Sequence, residues 1–457
     1  MYHGLFKFFH TYKDQYIKSL RLAAPVMLSQ VGIASVQLFD NAMVGKLGAL
    51  PLAAVSFGGT VFFLVFIFVT GISMALTPLV GEQYIQGRFR VVASYFQNSL
   101  VLYTIIGILA FILQYALIPL MYCLGQPTEV VDMAIPYYKY IVWSIIPHMV
   151  FYAFKQFLEG IGNTTINMVI IISTNLINIF FNWLLIYGNW GFPRMEAAGA
   201  GLATLISRIC APIFVVVYFM YKERARRYFH YFKQENFKWH YSKTLLKVGS
   251  PIASQMLMEG SAFALTAVMV GWIGTTAIAA NQIALTISNF AFMVVLGLSA
   301  ATTIRISHEY GRNDLKELKK AANASWHLGL AWNTFTALMF IIFRTQLAQI
   351  FNTDPEVVSL ASKLLLFVAA FQFSDGLQSI FVGILRGIQD VNKVMVIAFF
   401  SYLVINLPVG YFCAFVFGWG ASGLWIGFIF GLTIASVLLI TRFRKQYKRL
   451  WNTRLVA

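Results

Sequence analysis

About twelve long apolar runs divide this chain of 457 residues, and no other feature constrains its fold as strongly. A helix of roughly 20 apolar residues crosses the hydrocarbon of a membrane, and each run reaches that length. The runs lie near residues 19–45, 52–79, 91–120, 130–157, 163–188, 196–221, 245–271, 277–303, 320–343, 356–384, 392–416 and 420–442. Charged residues make up only 11% of the chain, too little for the surface of a soluble protein. The sequence therefore predicts an all-α polytopic membrane protein with twelve transmembrane helices.

Basic residues are concentrated on one side of the predicted membrane. Most of the 34 Lys and Arg fall in the two termini and in every second loop, and Arg386 is assigned to one of these loops. By the positive-inside rule, this bias predicts a multi-pass protein of the cell (inner) membrane with both termini in the cytoplasm. The net charge of +17 thus needs no nucleic-acid partner. We expect the basic tail to meet anionic lipid headgroups instead.

The chain is duplicated. Met43-Val-Gly-Lys-Leu-Gly48 is similar to Met269-Val-Gly-Trp-Ile-Gly274, and these motifs are separated by the same 226 residues as Pro25 and Pro251. Each half holds an even number of spans, so both halves enter the membrane from the same side and form a parallel repeat with pseudo-twofold symmetry. A substrate cleft is expected between two such six-helix lobes.

Five segments follow from the spans and their charges. We predict a cytoplasmic interfacial helix at 1–18, rather than a cleavable signal peptide, and an N-lobe at 19–221. A basic cytoplasmic linker at 222–244 then leads to a C-lobe at 245–442, and a basic cytoplasmic tail follows at 443–457.

Three carboxylic acids lie inside apolar runs, far in sequence from any basic run: Asp40, Glu259 and Asp375. An ionised side chain at the centre of a bilayer costs about 2.5–3.5 kcal/mol on insertion scales. The acids occupy positions that are not equivalent in the two repeats. A chain that keeps three such acids is expected to use them as a cation or proton site in a transport path.

The N-lobe offers oxygen ligands beside Asp40. Asn175, Asn178 and Asn182 share one helical face because they are three, four and seven residues apart, and Thr204 lies in the next span. One carboxylate with several neutral oxygens suits a proton or Na⁺. The alternative is that the asparagines only hold neighbouring helices together by hydrogen bonds.

The C-lobe holds Glu259 and Asp375. If these carboxyl groups approach each other, we expect them to take up and release a proton, or to exchange it for a metal ion. The alternative is that either acid faces a water-filled cleft without such a role. Four polar residues of neighbouring spans are candidates for lining a substrate cleft in this half: Gln282, Asn289, Tyr402 and Asn406.

Other polar residues in the spans leave their roles open. Arg208, about midway along the sixth span, either neutralises a nearby acid or approaches the inner face, and His148 is either a packed core residue or a titrating one. The three cysteines are scattered and lack metal-ligand spacing. No serine–histidine–acid pattern, P-loop or zinc spacing occurs in the sequence, so neither an enzyme, an ATP-driven pump nor a cofactor is expected.

These features together resemble the multidrug and toxic compound extrusion (MATE) family, and its NorM-like branch in particular. The resemblance rests on Pro25, Gln30 and Asp40, on the motif 43–48 with its repeat at 269–274, and on Ala279-Ala-Asn-Gln-Ile-Ala-Leu285. It implies a two-lobed bundle that exchanges Na⁺ or H⁺ for organic cations.

The resemblance also assigns roles to residues. Asp40, Asn178, Asn182 and Thr204 match the family's N-lobe cation site, and Glu259 with Asp375 matches the acidic pair of its C-lobe site. It further implies a tyrosine one turn before Asp375, where this chain has Phe371. This departure removes one hydroxyl ligand from the implied C-lobe site.

Together these interpretations predict a monomeric antiporter that uses alternating access to export amphiphilic, mostly cationic compounds. Either Na⁺ or H⁺ serves as the coupling ion, and the sequence does not select between them. A flippase for lipid-linked precursors is the alternative, and it requires a basic cavity, for which Arg208 is the lone candidate. A channel would need pore-lining rings from several subunits, which one duplicated chain does not provide.

Overall fold

The computed structural model describes residues 2–233 and 236–456, with the side chains of all of these except 2–11, 224–225 and 454–456. The described residues are helical apart from short connections, and they contain no strand. The helices of the first repeat are α1 (Tyr2–Gly45), α2 (Ala49–Ser73), α3 (Leu76–Ile85), α4 (Phe89–Ala116), α5 (Thr128–Trp143), α6 (Ile145–Gly160), α7 (Thr164–Tyr187), α8 (Glu196–Tyr221) and α9 (Glu223–His230).

The helices of the second repeat are α10 (Trp239–Gly271), α11 (Thr275–Gly311), α12 (Leu315–Ile342), α13 (Arg344–Gln349), α14 (Pro355–Gly387), α15 (Val391–Ala398), α16 (Leu407–Tyr411) and α17 (Ala421–Val456). Two π-helical segments, Phe399–Asn406 and Phe412–Val416, flank α16. Short 3₁₀ turns lie at Pro119–Cys123 and Asn189–Gly191. The predicted all-α fold is confirmed.

Within the described residues, eleven helical segments are long and apolar enough to cross a membrane. The remaining predicted span, 320–343, falls on α12, which is 28 residues long. Its first turns carry several lysines, and His327 and Asn333 lie further along, so α12 is less apolar than the other spans. We count it as the twelfth span because it lies between α11 and α14, which are both among the eleven.

Acidic caps fix where two of these helices begin. The carboxylate of Asp314 accepts hydrogen bonds from the backbone N–H groups of Lys316 and Glu317 at 3.1 and 3.0 Å, at the start of α12. Asp354 accepts from the N–H of Glu356 at 2.9 Å, with Pro355 at the first position of α14. Such caps satisfy N–H groups that have no partner within the helix.

The chain folds into two compact units. The repeat-1 unit comprises Val31–Ala253, and the repeat-2 unit comprises the residues up to Gln30 together with those from Ser254 onward. These boundaries differ from the predicted lobes at 19–221 and 245–442, because α1 and α10 each divide between the units. The segment predicted as an interfacial helix at 1–18 forms the first part of α1, which runs without a break through residue 18, and its place at the membrane surface stays a prediction.

Two glycine contacts show why each unit includes the start of the other repeat's first helix. In the repeat-1 unit, a Cβ added at Gly71 of α2 would lie 2.6 Å from the Cα of Ala253 in α10. In the repeat-2 unit, a Cβ added at Gly297 of α11 would lie 2.6 Å from the Cα of Met27 in α1. The two contacts join equivalent positions of the duplicated sequence. The helices approach too closely in both places for any residue larger than glycine.

Gly249 of α10 provides a test of this close packing, because a Cβ there would lie 2.5 Å from the carbonyl oxygen of Ile72. We expect Gly249→Val to destabilise the fold by about 1–3 kcal/mol, since a rigid backbone atom cannot move aside cheaply. Thermal unfolding in detergent measures this loss. Gly271→Val is the matched control on the same helix, since nothing lies within 4 Å of its added Cβ. Equal shifts in the two variants would contradict the packing argument.

A buried arginine anchors the first part of α1 within the repeat-2 unit. Arg305 of α11 donates hydrogen bonds to the backbone oxygen of Gln15 at 2.9 Å, to Ser19 Oγ at 2.5 Å and to the side-chain oxygen of Gln15. Gln15 Nε2 donates to Glu317 of α12 at 2.6 Å. This polar network holds the first part of α1 against α11 and α12.

The predicted linker at 222–244 also contains structure. Helix α9 lies within it, and its Tyr228 and Phe229 pack on Phe157 and Phe96, with ring centroids 5.0 and 6.4 Å apart. Asn98 Nδ2 donates a hydrogen bond to the backbone oxygen of Asn236 at 3.1 Å. The described part of the linker is therefore fixed against the repeat-1 unit.

Helices α14, which carries Asp375, and α8, which carries Thr204, each pack against several neighbours. In the repeat-2 unit, α14 contacts α11, α12 and α17, and in the repeat-1 unit α8 contacts both α5 and α7. Aromatic rings fill the space beside α14, where Phe263 stacks on Phe428 at 4.4 Å and Phe371 meets Trp425 edge-on at 5.4 Å. Such packing holds the side chains of α14 at defined positions.

Candidate cation sites

The first candidate site lies in the repeat-1 unit, where Asp40 of α1 meets the asparagines of α7. Asn182 Nδ2 donates hydrogen bonds to Asp40 Oδ1 and, at 3.0 Å, to Asn178 Oδ1. Asn178 Nδ2 donates in turn to Thr204 Oγ1 of α8 at 3.3 Å. The structure therefore brings together the four residues that the sequence singled out, and we call them the repeat-1 acid site.

Oxygen atoms dominate this site. Asn178 and Asn182 are buried, Asp40 is half-buried, and the Oδ1 atom of Asn182 has no hydrogen-bond partner. A buried acceptor without a donor is uncommon in folded proteins and calls for an explanation. A cation held by Asp40 and the neighbouring amide and hydroxyl oxygens supplies one, because hard cations prefer such ligands.

The third asparagine of the stripe has a different environment. Asn175 lies against Gly32 of α1, where an added Cβ would be 3.0 Å from Asn175 Nδ2. Asn175 therefore packs on the backbone of α1, whereas Asn178 and Asn182 belong to the acid site.

The second candidate site lies in the repeat-2 unit around Glu259 of α10. Gln255 Nε2 donates to Glu259 Oε2 at 2.8 Å, and Gln255 Oε1 accepts from Arg386 Nη2 at 2.5 Å. Gln255 thus bridges a carboxylate and a guanidinium, both inside the helical unit. We call Glu259, Asp375, Gln255, Arg386 and Tyr402 the repeat-2 acid site.

Asp375 of α14 is the second acid of this site. It is 5% exposed, interacts electrostatically with Glu259, and its Oδ1 atom has no hydrogen-bond partner. A cavity of about 10 Å³ adjoins it, lined in part by Asn333 and Gln372. That volume is close to the least that holds one water. The site therefore combines two carboxylates with one guanidinium, which leaves one negative charge when both acids are ionised.

A tyrosine hydroxyl reaches this site from one of the four residues that the sequence analysis expected to line a cleft in this half. Phe371 is buried in the aromatic cluster beside α14 and supplies no ligand. Tyr402 is 1% exposed, lies beside Glu259, and its hydroxyl has no hydrogen bond of good geometry. The π-helical segment Phe399–Asn406 carries it, and such segments often occur at functional sites.

The four residues proposed from sequence to line a substrate cleft lie in two environments. Tyr402 and Asn406 are buried inside the repeat-2 unit, and Asn406 Nδ2 has no hydrogen-bond partner. Gln282 and Asn289 are exposed on α11. A separate cavity of about 740 Å³ lies at the connection between α12 and α14, and none of the three in-span acids lines it.

Arg386 and Gln255 are the members of the site that the sequence analysis missed. Arg386 was assigned to a cytoplasmic loop, but it lies in the last turn of α14 and is joined to Glu259 through Gln255. The duplication contained a signal, since Leu385-Arg-Gly387 is similar to Leu158-Glu-Gly160, which places Arg386 opposite Glu159. Glu159 is itself a buried charge, paired with Lys155 at 2.9 Å.

Removing the arginine tests its influence on cation binding at this site. We expect Arg386→Gln to lower the Na⁺ or H⁺ concentration for half-maximal cation binding to the purified protein about tenfold. The reason is that a unit charge nearby is worth roughly 1–2 kcal/mol at the effective dielectric of a protein. Lys393→Gln is the control, because it removes one exposed cation from the same unit. An unchanged concentration in Arg386→Gln, or an equal change in both variants, would contradict the assignment.

Comparison with protein families reproduces the duplication. The sequence profile of the MatE family matches the chain twice, over residues 25–184 and again over residues 251–412. The two matches begin at Pro25 and Pro251, the prolines that mark the repeat in the sequence. The duplicated organisation predicted from short motifs is therefore confirmed over most of both halves.

Full-length relatives and solved structures agree with this match. The chain is 33% identical over 437 residues to a probable multidrug resistance protein NorM of Xanthomonas axonopodis pv. citri, which covers 94% of each chain. It is 32% identical over 441 residues to the multidrug resistance protein MdtK of Yersinia pseudotuberculosis, covering 94% of this chain and 95% of that one. A mutant of the Vibrio cholerae MATE transporter VcmN has the same fold, with a TM-score of 0.89 over 96% of this chain and 98% of that one at 19% identity.

Proposed function

The chain belongs to the MatE family, and from that premise we propose that it exports amphiphilic organic compounds, mostly cationic, in exchange for Na⁺ or H⁺. Relatives that match nearly the whole chain carry the name of multidrug resistance proteins, which supports the substrate class. The proposal that an ion is coupled to export depends on the two acid sites. The observation that carries this proposal is Asp40, a carboxylate among buried amide groups in a membrane-spanning unit.

Competition for charge is the proposed mechanism of coupling. A cation or proton bound at Asp40 or at the Glu259–Asp375 pair neutralises a carboxylate that would otherwise attract a cationic substrate. A bound substrate likewise disfavours the coupling ion. Such reciprocal weakening is a coupling free energy between two ligands, and it makes entry of one favour release of the other. Alternating access then converts the ion gradient into export.

Each acid site has its own electrostatic character. In the repeat-1 site, Asp40 is the carboxylate, and the amides of Asn178 and Asn182 orient it. In the repeat-2 site, Arg386 offsets part of the charge of Glu259 and Asp375, with Gln255 holding the guanidinium at a distance. We propose that both sites exchange cations, and that neither needs a further cofactor.

The surroundings of the protein complete the proposal. We propose that it resides in the cell (inner) membrane with both termini in the cytoplasm, as the distribution of basic residues indicates. The basic end of α17 then meets anionic lipid headgroups. One chain suffices for transport, since the duplication supplies both units.

Reconstituted protein tests the function directly. Liposomes containing the chain and a cationic dye such as rhodamine 123 are given a Na⁺ gradient or a pH gradient, each imposed independently. We expect one of the two gradients to drive dye movement against its own concentration. Dye movement under neither gradient would contradict the proposed antiport. Movement of a lipid-linked precursor instead would favour the flippase alternative.

A further inference from the structure

A cavity of about 740 Å³ at the connection between α12 and α14 has no part in the proposed mechanism. Its volume falls within the range of ligand sites in proteins, about 300–1,000 Å³. Two cations and four hydroxyl side chains are among its lining residues: Arg344, Lys363, Thr345, Thr353, Ser359 and Ser362. No Asp or Glu lines it within the part of the chain that the structure describes. Guanidinium, ammonium and hydroxyl groups all donate hydrogen bonds, so this lining suits an anion with several oxygen atoms.

The positive character of the cavity depends on where the charged side chains lie. The four charges of residues 344–363 sum to zero, yet both cations line the cavity and neither acid does. Of the two acids, Asp354 is already used as the cap of α14, where its carboxylate accepts from the N–H of Glu356 at 2.9 Å. Among the described residues, no carboxylate oxygen lies within ion-pair distance of Arg344 or Lys363. Both cations are therefore available to a ligand.

The cavity lies at the opposite end of α12 from the start of α1. At the beginning of α12, Glu317 accepts a hydrogen bond from Gln15 of α1 at 2.6 Å. Helix α12 is 28 residues long. Its length is therefore about 42 Å, which exceeds the roughly 30 Å of membrane hydrocarbon. With the termini in the cytoplasm, as proposed, the cavity lies at the level of the outer leaflet. Most of the 34 Lys and Arg are on the other side, so two cations at this cavity are not part of a generally basic surface.

Exposed apolar side chains of α12 end close to this cavity. Phe335, Leu338 and Ile342 are exposed, and they share one face of the helix because they are three, four and seven residues apart. Phe343 is also exposed and directly precedes Arg344 in the chain. In a membrane such a face contacts acyl chains, while cations near the helix end reach the headgroups. A ligand with an anionic head and apolar tails matches both surfaces, whereas free phosphate matches the cavity alone.

We propose that the cavity binds the headgroup of an anionic phospholipid, with Arg344 and Lys363 facing its phosphate and the hydroxyl groups of the walls donating to its other oxygens. A zwitterionic lipid is a poorer ligand, because the two cations repel its ammonium group. The lipid is a bound partner of the repeat-2 unit and not the transported compound, so this inference goes beyond the proposed function. The lipid bridges α13 and α14, which are also joined by a hydrogen bond of 3.4 Å from Ser362 Oγ to the backbone oxygen of Arg344.

Photo-crosslinking in liposomes tests the site. Purified protein is reconstituted into phosphatidylcholine with a small fraction of phosphatidylglycerol that carries a diazirine near its headgroup, and labelled peptides are identified by mass spectrometry. We expect labelling within residues 343–366, and far less labelling there by phosphatidylcholine that carries the same diazirine. Arg344→Gln/Lys363→Gln should lower the yield from phosphatidylglycerol about 30-fold, since each cation near an anionic lipid contributes about fivefold in affinity.

Lys46→Gln is the matched control, because Lys46 is an exposed cation of a loop on the same predicted side and does not line the cavity. We expect this variant to be labelled like the wild type. Arg344→Lys/Lys363→Arg keeps both charges and should retain most of the labelling. An equal loss in this variant and in the double glutamine variant would contradict the role of charge.

Three results would overturn the proposal. The first is equal labelling of residues 343–366 in the wild type and in the double glutamine variant, and the second is equal labelling by the two lipids. The third is loss of the labelling when millimolar glycerol 3-phosphate is added, which would assign the cavity to a soluble phosphate. No ion gradient or dye enters these measurements, so each of these results would leave the proposed function standing.

Discussion

Replacement of Asp40 by asparagine is expected to reduce gradient-driven dye export about 100-fold or more, equivalent to a loss of about 2.7 kcal/mol of ion binding. Asparagine has the shape of aspartate and can still accept the hydrogen bond from Asn182, so the helices should keep their positions. It can neither carry the negative charge nor take up a proton. The coupling ion therefore loses its partner in the repeat-1 acid site.

Everted membrane vesicles that contain the variant measure this effect, with dye quenching followed under an imposed gradient. Asp132→Asn is the control, because Asp132 is an exposed carboxylate of the same unit, bonded to Tyr122 at 2.7 Å. We expect the control to export like the wild type. Normal export by Asp40→Asn would show that the repeat-1 acid site does not couple transport.

Neutralising both acids of the repeat-2 unit should impair transport and stability together. In Glu259→Gln/Asp375→Asn, the guanidinium of Arg386 keeps its hydrogen bond to Gln255 but loses its interaction with the charge of Glu259. Removing one side of a buried charge pair costs about 3–5 kcal/mol, because the remaining charge is uncompensated. We therefore expect a strongly lowered unfolding temperature in detergent and loss of gradient-driven export.

A triple variant that adds Arg386→Gln separates these two effects. Its site contains no charge, so we expect the unfolding temperature to return close to that of the wild type. Export should not return, because the carboxylates that bind the coupling ion are still absent. Recovery of export in the triple variant would contradict a coupling role for Glu259 and Asp375. Failure of stability to recover would contradict the charge balance assigned to Arg386.

The fold could be predicted from the sequence because a membrane limits the choice of structure. Long apolar runs become helices in lipid, where each backbone polar group needs a partner within the chain. The repeat could also be recognised from the sequence, since Pro25 and Pro251 mark equivalent positions and the family profile begins at both. The units were less predictable. Residues 19–30 belong to the first repeat but pack in the repeat-2 unit, and residues 245–253 belong to the second repeat but pack in the repeat-1 unit. Tertiary contacts such as that of Gly297 with Met27 decide this packing.

The candidate sites were predictable where one helix carried the pattern. Spacing along α7 placed Asn178 and Asn182 on one face, and both lie next to Asp40. Side chains that reach a site from other helices could not be assigned in this way. Gln255 of α10 connects Glu259 with Arg386 of α14, which is 131 residues further along the chain than Gln255. Tyr402 was expected only to line a cleft in this half, whereas it lies beside Glu259 on a π-helical segment.

Displacement of the coupling ion by substrate is the most direct test of the proposed competition. Purified protein in weakly buffered detergent is titrated with rhodamine 123, while released protons are followed with a pH indicator and bound Na⁺ by equilibrium dialysis with ²²Na⁺. We predict that the wild type releases H⁺ or Na⁺ as the dye binds, and that Asp40→Asn releases less than the wild type. Saturation of the wild type with dye, without release of either ion, would contradict the account.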